Sequence, residues 1–124
     1  MIQHVTRPIQ HSQLEDCLRF YGLLGYEEIP APDAIRGRAV WLAPRGSGPE
    51  TAGLHLQFAD ATIPEQGHVA FVVQPYEQTL ASLREAGYEV ESRREHWGSP
   101  RAYARDPAAN LVELMAWAPG GRPE

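Results

Sequence analysis

The sequence has no lysine; all eleven basic residues are Arg. Without Lys there is no Schiff-base chemistry and no P-loop phosphate site. A single cysteine, Cys17, excludes an internal disulfide and agrees with a reducing compartment. No Gly-x-Ser-x-Gly elbow is present, so serine acyl transfer has no support. No apolar run approaches the roughly 18 residues that a membrane helix needs, so no membrane association is expected. The first residues, MIQHVTRPIQ, lack a charged-then-apolar signal pattern, which predicts a cytoplasmic protein. Clustered positive charge is also missing. Arg93-Arg94 is followed at once by Glu95, and the net charge is −5, so nucleic acid is not an expected partner. What remains is a chain of 124 residues, 43% hydrophobic, which fits one domain.

That domain repeats itself. Gly25-Tyr26-Glu27 recurs as Gly87-Tyr88-Glu89, and each copy closes a helix-like stretch and opens a strand-like one. Ser12-Gln13-Leu14-Glu15 reads as a capping box before a helix whose face carries Leu14, Cys17, Leu18 and Tyr21. Gln74-Pro75 precedes a second helix with Tyr76, Leu80 and Leu83 on one face, and Gly87 suits its C-terminal cap. Strand patterns follow one order in both halves: Ile2–Thr6 before the first helix, then Tyr26–Ile29, Arg38–Leu42 and Gly53–Phe58. In the second half they are His68–Val73, then Tyr88–Ser92, Arg101–Arg105 and Leu111–Trp117. The expected fold class is α+β, two βαβββ modules forming a cupped mixed sheet. The modules span 1–60 and 66–118 of a single domain, 1–118, with a flexible tail over 119–124.

Strand parity then separates two faces. The more apolar parity must cover a helix: Val5; Leu54, Leu56 and Phe58; Val69, Phe71 and Val73; Val112, Leu114 and Ala116. The other parity carries His4, His55, His68 and Glu113. His4 and His68 open the two halves, and His55 and Glu113 lie in their last strands. Three imidazoles and one carboxylate at equivalent positions suit a divalent ion such as Zn, Ni, Fe, Mn or Co. A buried Glu113 would need a counter-charge, which a cation would supply. His11 has no counterpart in the other half.

Three segments carry a resemblance: Arg19-Phe20-Tyr21-Gly22-Leu23-Leu24-Gly25-Tyr26, Gly67-His68-Val69-Ala70-Phe71, and Arg105-Asp106-Pro107 running to Asn110-Leu111-Val112-Glu113-Leu114. The sequence resembles the vicinal oxygen chelate superfamily, which includes glyoxalase I, extradiol dioxygenases, fosfomycin-resistance enzymes and bleomycin-binding proteins. The resemblance implies paired βαβββ modules around one metal ion, often in a homodimer. It implies ligands from the first and last strands of each module, which here are His4, His55, His68 and Glu113. The sequence departs at His55, where glyoxalase I commonly carries an acidic residue or Gln. In the dioxygenases and fosfomycin enzymes the ligand set looks like two His and one Glu, which would leave His55 as a neighbour or proton carrier. It departs again at Ala109, in a turn where Gly is usual; Ala disfavours a positive φ there.

The chemistry implied is bidentate binding of two vicinal oxygens of a small substrate, with the metal as Lewis acid stabilising an enolate or oxyanion, in a reaction of lyase or isomerase type or a dioxygenation. Glu113 and His55 are the catalytic candidates, and Trp41, Arg101, Tyr103 and His96 the substrate-binding ones. The loop Glu95–Pro100 is expected to close over the cup. The competing expectation is a non-catalytic protein, similar to bleomycin-resistance proteins, that sequesters a small molecule without metal.

Overall fold

In a computed structural model describing residues 1–122, the chain divides into two compact units, Met1–Ile63 and a second from Pro64 onward, and each is built β-α-β-β-β. The first contains β1 (Val5–Ile9), α1 (Leu14–Leu23), β2 (Tyr26–Ile29), β3 (Ala39–Pro44) and β4 (Leu54–Phe58). The second contains β5 (His68–Val72), α2 (Tyr76–Glu85), β6 (Val90–Arg93), β7 (Arg101–Arg105) and β8 (Leu111–Met115). The sheets have the orders β1-β4-β3-β2 and β5-β8-β7-β6. Each is mixed: the first and last strands of a unit run parallel, and the remaining pairs are antiparallel. The helix supplies the crossover that a parallel pair requires. Among the described residues no helix is long and apolar enough to cross a membrane.

The face separation follows from burial. In the first unit Ile9, Leu42, Leu54 and Leu56 are buried together with Cys17, Phe20 and Tyr21 of α1. In the second, Phe71, Val73, Ala102, Val112 and Leu114 are buried together with Leu80 and Leu83 of α2. Phe20 and Thr79 join the buried helix faces, positions that the helical periodicity had not selected. Both Gly-Tyr-Glu copies do terminate helices. Gly25 and Gly87 adopt φ of 93° and 94°, a left-handed conformation that glycine takes without strain.

Four details differ from the sequence expectation. β1 begins three residues later than Ile2–Thr6 and continues through Pro8. As an edge strand bonded only to β4, it tolerates a residue without an N–H. β6 likewise begins at Val90 and not at Tyr88. The first helix is preceded by a 3-10 turn, His11–Gln13, where the Gln10 N–H donates to the Gln13 side-chain oxygen at 2.9 Å; this contact replaces the Ser12/Glu15 box. Ala109 adopts φ 71° although it is not glycine. Asp106 enforces that turn, its Oδ1 accepting from the Ala108 and Asn110 N–H groups at 2.9 Å each. Of the tail expected over 119–124, Gly121 closes a turn onto the Ala118 carbonyl at 2.8 Å, and residues 123 and 124 lie outside the described residues.

Candidate metal centre

In the first unit His55 sits in the middle of the sheet, on β4. Its register partners are Thr6 on β1 and Trp41 on β3. His4 lies one residue before β1 and two before Thr6, on the same parity as Thr6. The His4 and His55 rings stack, with centroids 4.0 Å apart and planes 17° apart. Trp41 stacks on His55 as well, at 4.5 Å and 7°. His55 is buried, its Nε2 has no hydrogen-bond partner, and neither has the Trp41 Nε1. Burial, and then the neighbouring His4, push the His55 imidazole below its ordinary pKa, opposed by a hydrogen bond to the Ala52 backbone. That bond falls to Nδ1, since Nε2 is unpartnered.

The second unit repeats the arrangement. Glu113 is in the middle of the sheet, on β8, opposite Ala70 on β5 and Tyr103 on β7. His68 lies two residues before Ala70, as His4 lies two before Thr6. The pairs His4/His55 and His68/Glu113 therefore occupy equivalent diagonals. His68 Nε2 is 3.8 Å from Glu113 Oε2, and its Nδ1 is 2.9 Å from the Gln66 carbonyl. Glu113 is buried, and its counter-charge is Arg101. Arg101 Nε and Nη2 both reach Oε1, at 2.7 and 2.6 Å, and Oε2 is left toward His68. Arg101 is buried too. It also donates to the Arg94 carbonyl at 2.7 Å and to the Tyr103 hydroxyl oxygen at 3.2 Å. Burial alone would lower the guanidinium pKa, but Glu113 outweighs it and holds the group above its ordinary value.

The remaining candidates are spread more widely. Tyr103 is half-buried, with the Arg93 and Arg101 guanidiniums 4.9 and 5.3 Å from its ring centre. His96 is exposed in the loop before β7, with the Trp97 ring 6.3 Å away. That loop is fastened to the chain after β8. Trp97 Nε1–H donates to the Trp117 carbonyl at 2.9 Å, and Ser99 Oγ accepts from the Ala116 and Trp117 N–H groups at 3.1 Å each. His11, the unmatched histidine, stacks on Phe58 at 3.8 Å.

These residues fit a divalent ion on one chemical ground. A ligand histidine needs one nitrogen held and the other free. His68 is held through Nδ1 by Gln66, His55 by Ala52, and His4 by the Gln3 side chain, which leaves Nε2 in each. Glu113 is held through Oε1 and leaves Oε2. Each unit offers two such donors, and among the described residues no group of three His, Cys, Asp or Glu gathers within one unit. The holding groups Ala52 and Gln66 were not visible in the sequence, because backbone acceptors carry no residue signature.

No family model matches the chain, and no curated protein does. Solved structures do. A Bacillus anthracis protein described as glyoxalase family superposes with a TM-score of 0.78 at 26% identity, over 93% of each chain. The fosfomycin resistance protein FosX from Listeria monocytogenes, solved with Mn(II) and sulfate, matches with a TM-score of 0.71 at 18% identity, over 95% of this chain and 90% of that one. TnmS3, an antibiotic binding protein from Streptomyces sp. CB03234, matches with a TM-score of 0.66 at 20% identity, over 93% of each. By fold, the chain stands with the vicinal oxygen chelate superfamily.

Proposed function

We propose that this chain is a metal-dependent enzyme of lyase or isomerase type that acts on a small substrate with vicinal oxygens. It binds about one divalent ion through donors drawn from His4, His55, His68 and Glu113. The observation that carries the reading is the equivalent pair of diagonals, His4/His55 and His68/Glu113, each with an outward nitrogen or oxygen left free. A bound ion of this class supplies Lewis-acid stabilisation of charge developing on two adjacent substrate oxygens. Glu113 is the only carboxylate of the set, and Arg101 fixes its orientation by occupying Oε1. The Tyr103 oxygen accepts from Arg101, so its own proton is directed elsewhere, toward a substrate oxygen. Trp41 offers an indole N–H that has no partner within the protein. Exposed His96 stands where a polar substituent could reach it.

A specific observation favours the second reading, a metal-free protein that sequesters a small molecule. Arg101 already gives Glu113 a counter-charge, so the buried carboxylate requires no ion. The antibiotic-binding TnmS3 has the same fold. Metal analysis of the purified protein decides between the two, combined with thermal shift on adding Mn, Ni, Zn, Fe and Co salts. The enzyme reading expects uptake of about one ion per chain and a raised melting temperature. No uptake of any of them, together with tight binding of bleomycin, would replace it with the sequestering reading. Metal-loaded protein is then assayed on α-hydroxyacyl thiol adducts, catechols and fosfomycin.

A further inference from the structure

His55 is the central ring of a three-ring stack. Its strand, β4, lies between β1 and β3, so His4 and Trp41 approach it from opposite sides. An imidazole binds a metal through a lone pair in its own ring plane. Two imidazoles that share an ion must therefore have planes that meet at it. The His4 and His55 planes are nearly parallel, 4.0 Å apart at their centres and 17° from parallel. Even if the whole tilt closed the gap on the metal side, an ion with metal–nitrogen bonds of about 2.0–2.1 Å would stand about 1.5 Å out of both planes. Neither lone pair reaches that point. The stack can serve an ion through one ring, not both.

Resting on the metal-dependent reading above, we propose that the first unit gives the ion a single nitrogen, that of His4, and that His55 and Trp41 are positioning residues which set the plane of the His4 ring. The choice between the rings follows from access and register. His55 has Trp41 and His4 on its two faces, Ala52 on Nδ1, and a fully covered Nε2. His4 is the outer, exposed ring. It also holds the place that His68 holds in the second unit, where Nε2 is the nitrogen facing Glu113. Aromatic stacking on two faces and a bond on Nδ1 leave His55 no rotational freedom, so it presents a fixed surface against which His4 lies flat.

The test uses cobalt and copper as probes. In Co(II) titration followed by calorimetry and visible absorption, His55→Phe keeps a stacking ring and removes both nitrogens. It is expected to bind within about 3-fold of wild type with unchanged bands. His4→Phe is expected to lose about 100-fold or more, and His55→Ala or Trp41→Ala about 10-fold, as for a lost orienting group. Circular dichroism checks folding. Pulsed EPR of Cu(II)-loaded wild type needs no variant and counts bound imidazoles from their remote nitrogens; two are expected, those of His4 and His68. Three bound imidazoles, or a His55→Phe loss equal to that of His4→Phe, overturns the proposal while leaving the metal reading standing. Wild type that takes up neither metal overturns the metal reading itself, and this proposal with it.

Discussion

Arg101 and Glu113 form an ion pair on diagonal positions of β7 and β8, 2.6 Å from Nη2 to Oε1, with 7% and 8% of their side chains exposed. Both charges are out of water, so each depends on the other. Removing one partner leaves an uncompensated buried charge, whereas removing both does not.

Glu113→Gln should therefore cost about 3–5 kcal/mol of folding stability before any effect on an ion is considered. Arg101→Met combined with Glu113→Leu should recover most of it. Urea denaturation of wild type, both singles and the double closes the cycle. A Glu113→Gln loss below about 1 kcal/mol would mean that water reaches the pair in solution.

His55 gives a pH dependence with a definite sign. Its folded pKa lies below the ordinary value of 6.5, chiefly through burial. Above 6.5 both folded and unfolded chains carry it neutral, and it contributes no slope. As the pH falls below 6.5 the unfolded chain takes the proton first, so stability declines down to the folded pKa and then levels. In metal-free protein, His55→Phe should flatten the curve between about pH 6.5 and 5 relative to wild type. Parallel curves for the two proteins would show that His55 titrates normally.

The Asp106–Asn110 turn should be improvable. Ala109 at φ 71° bears a steric cost that glycine would not, so Ala109→Gly should stabilise by about 1 kcal/mol. Asp106→Ala should destabilise by about 2–3 kcal/mol, because the Ala108 and Asn110 N–H groups lose their acceptor. Thermal melts of both variants suffice. A destabilised Ala109→Gly would show that backbone entropy of the unfolded chain outweighs the strain.

Light scattering at micromolar concentration should find a homodimer. β5 is an edge strand of its sheet and exposes Val72, which is 52% exposed, beside His68 and Ala70. An apolar residue on an open edge is where a second copy would pair. Val72→Glu should shift the population toward monomer. A monomeric wild type would remove the dimer from the reading.

Parity carried most of what the sequence could tell. Val69, Phe71, Val112 and Leu114 declare one face, and the opposite face of the same strands carries the four donors. β1 was placed early because Met1 and Ile2 read as strand while Arg7-Pro8 reads as its end; in the structure Ile2 is 83% exposed and Arg7 is buried on the inward face. A buried Arg defeats a hydrophobic pattern. The Arg101–Glu113 pair was illegible for another reason: twelve residues separate them, and only the β7–β8 register makes them neighbours. The His4–His55–Trp41 stack likewise needs three strands in order before any ring can touch another.

The fastening of Trp97 and Ser99 to the chain after β8 bears on how a ligand arrives. A segment held at both a side chain and a buried hydroxyl moves only when those bonds break together, so it forms a fixed rim rather than a door. Entry to this face of the second unit is then limited by diffusion and fit, not by the microsecond-to-millisecond opening that governs lidded enzymes. Selectivity is correspondingly static: molecules are sorted by whether they match a preformed outline, with little adjustment available for those that do not.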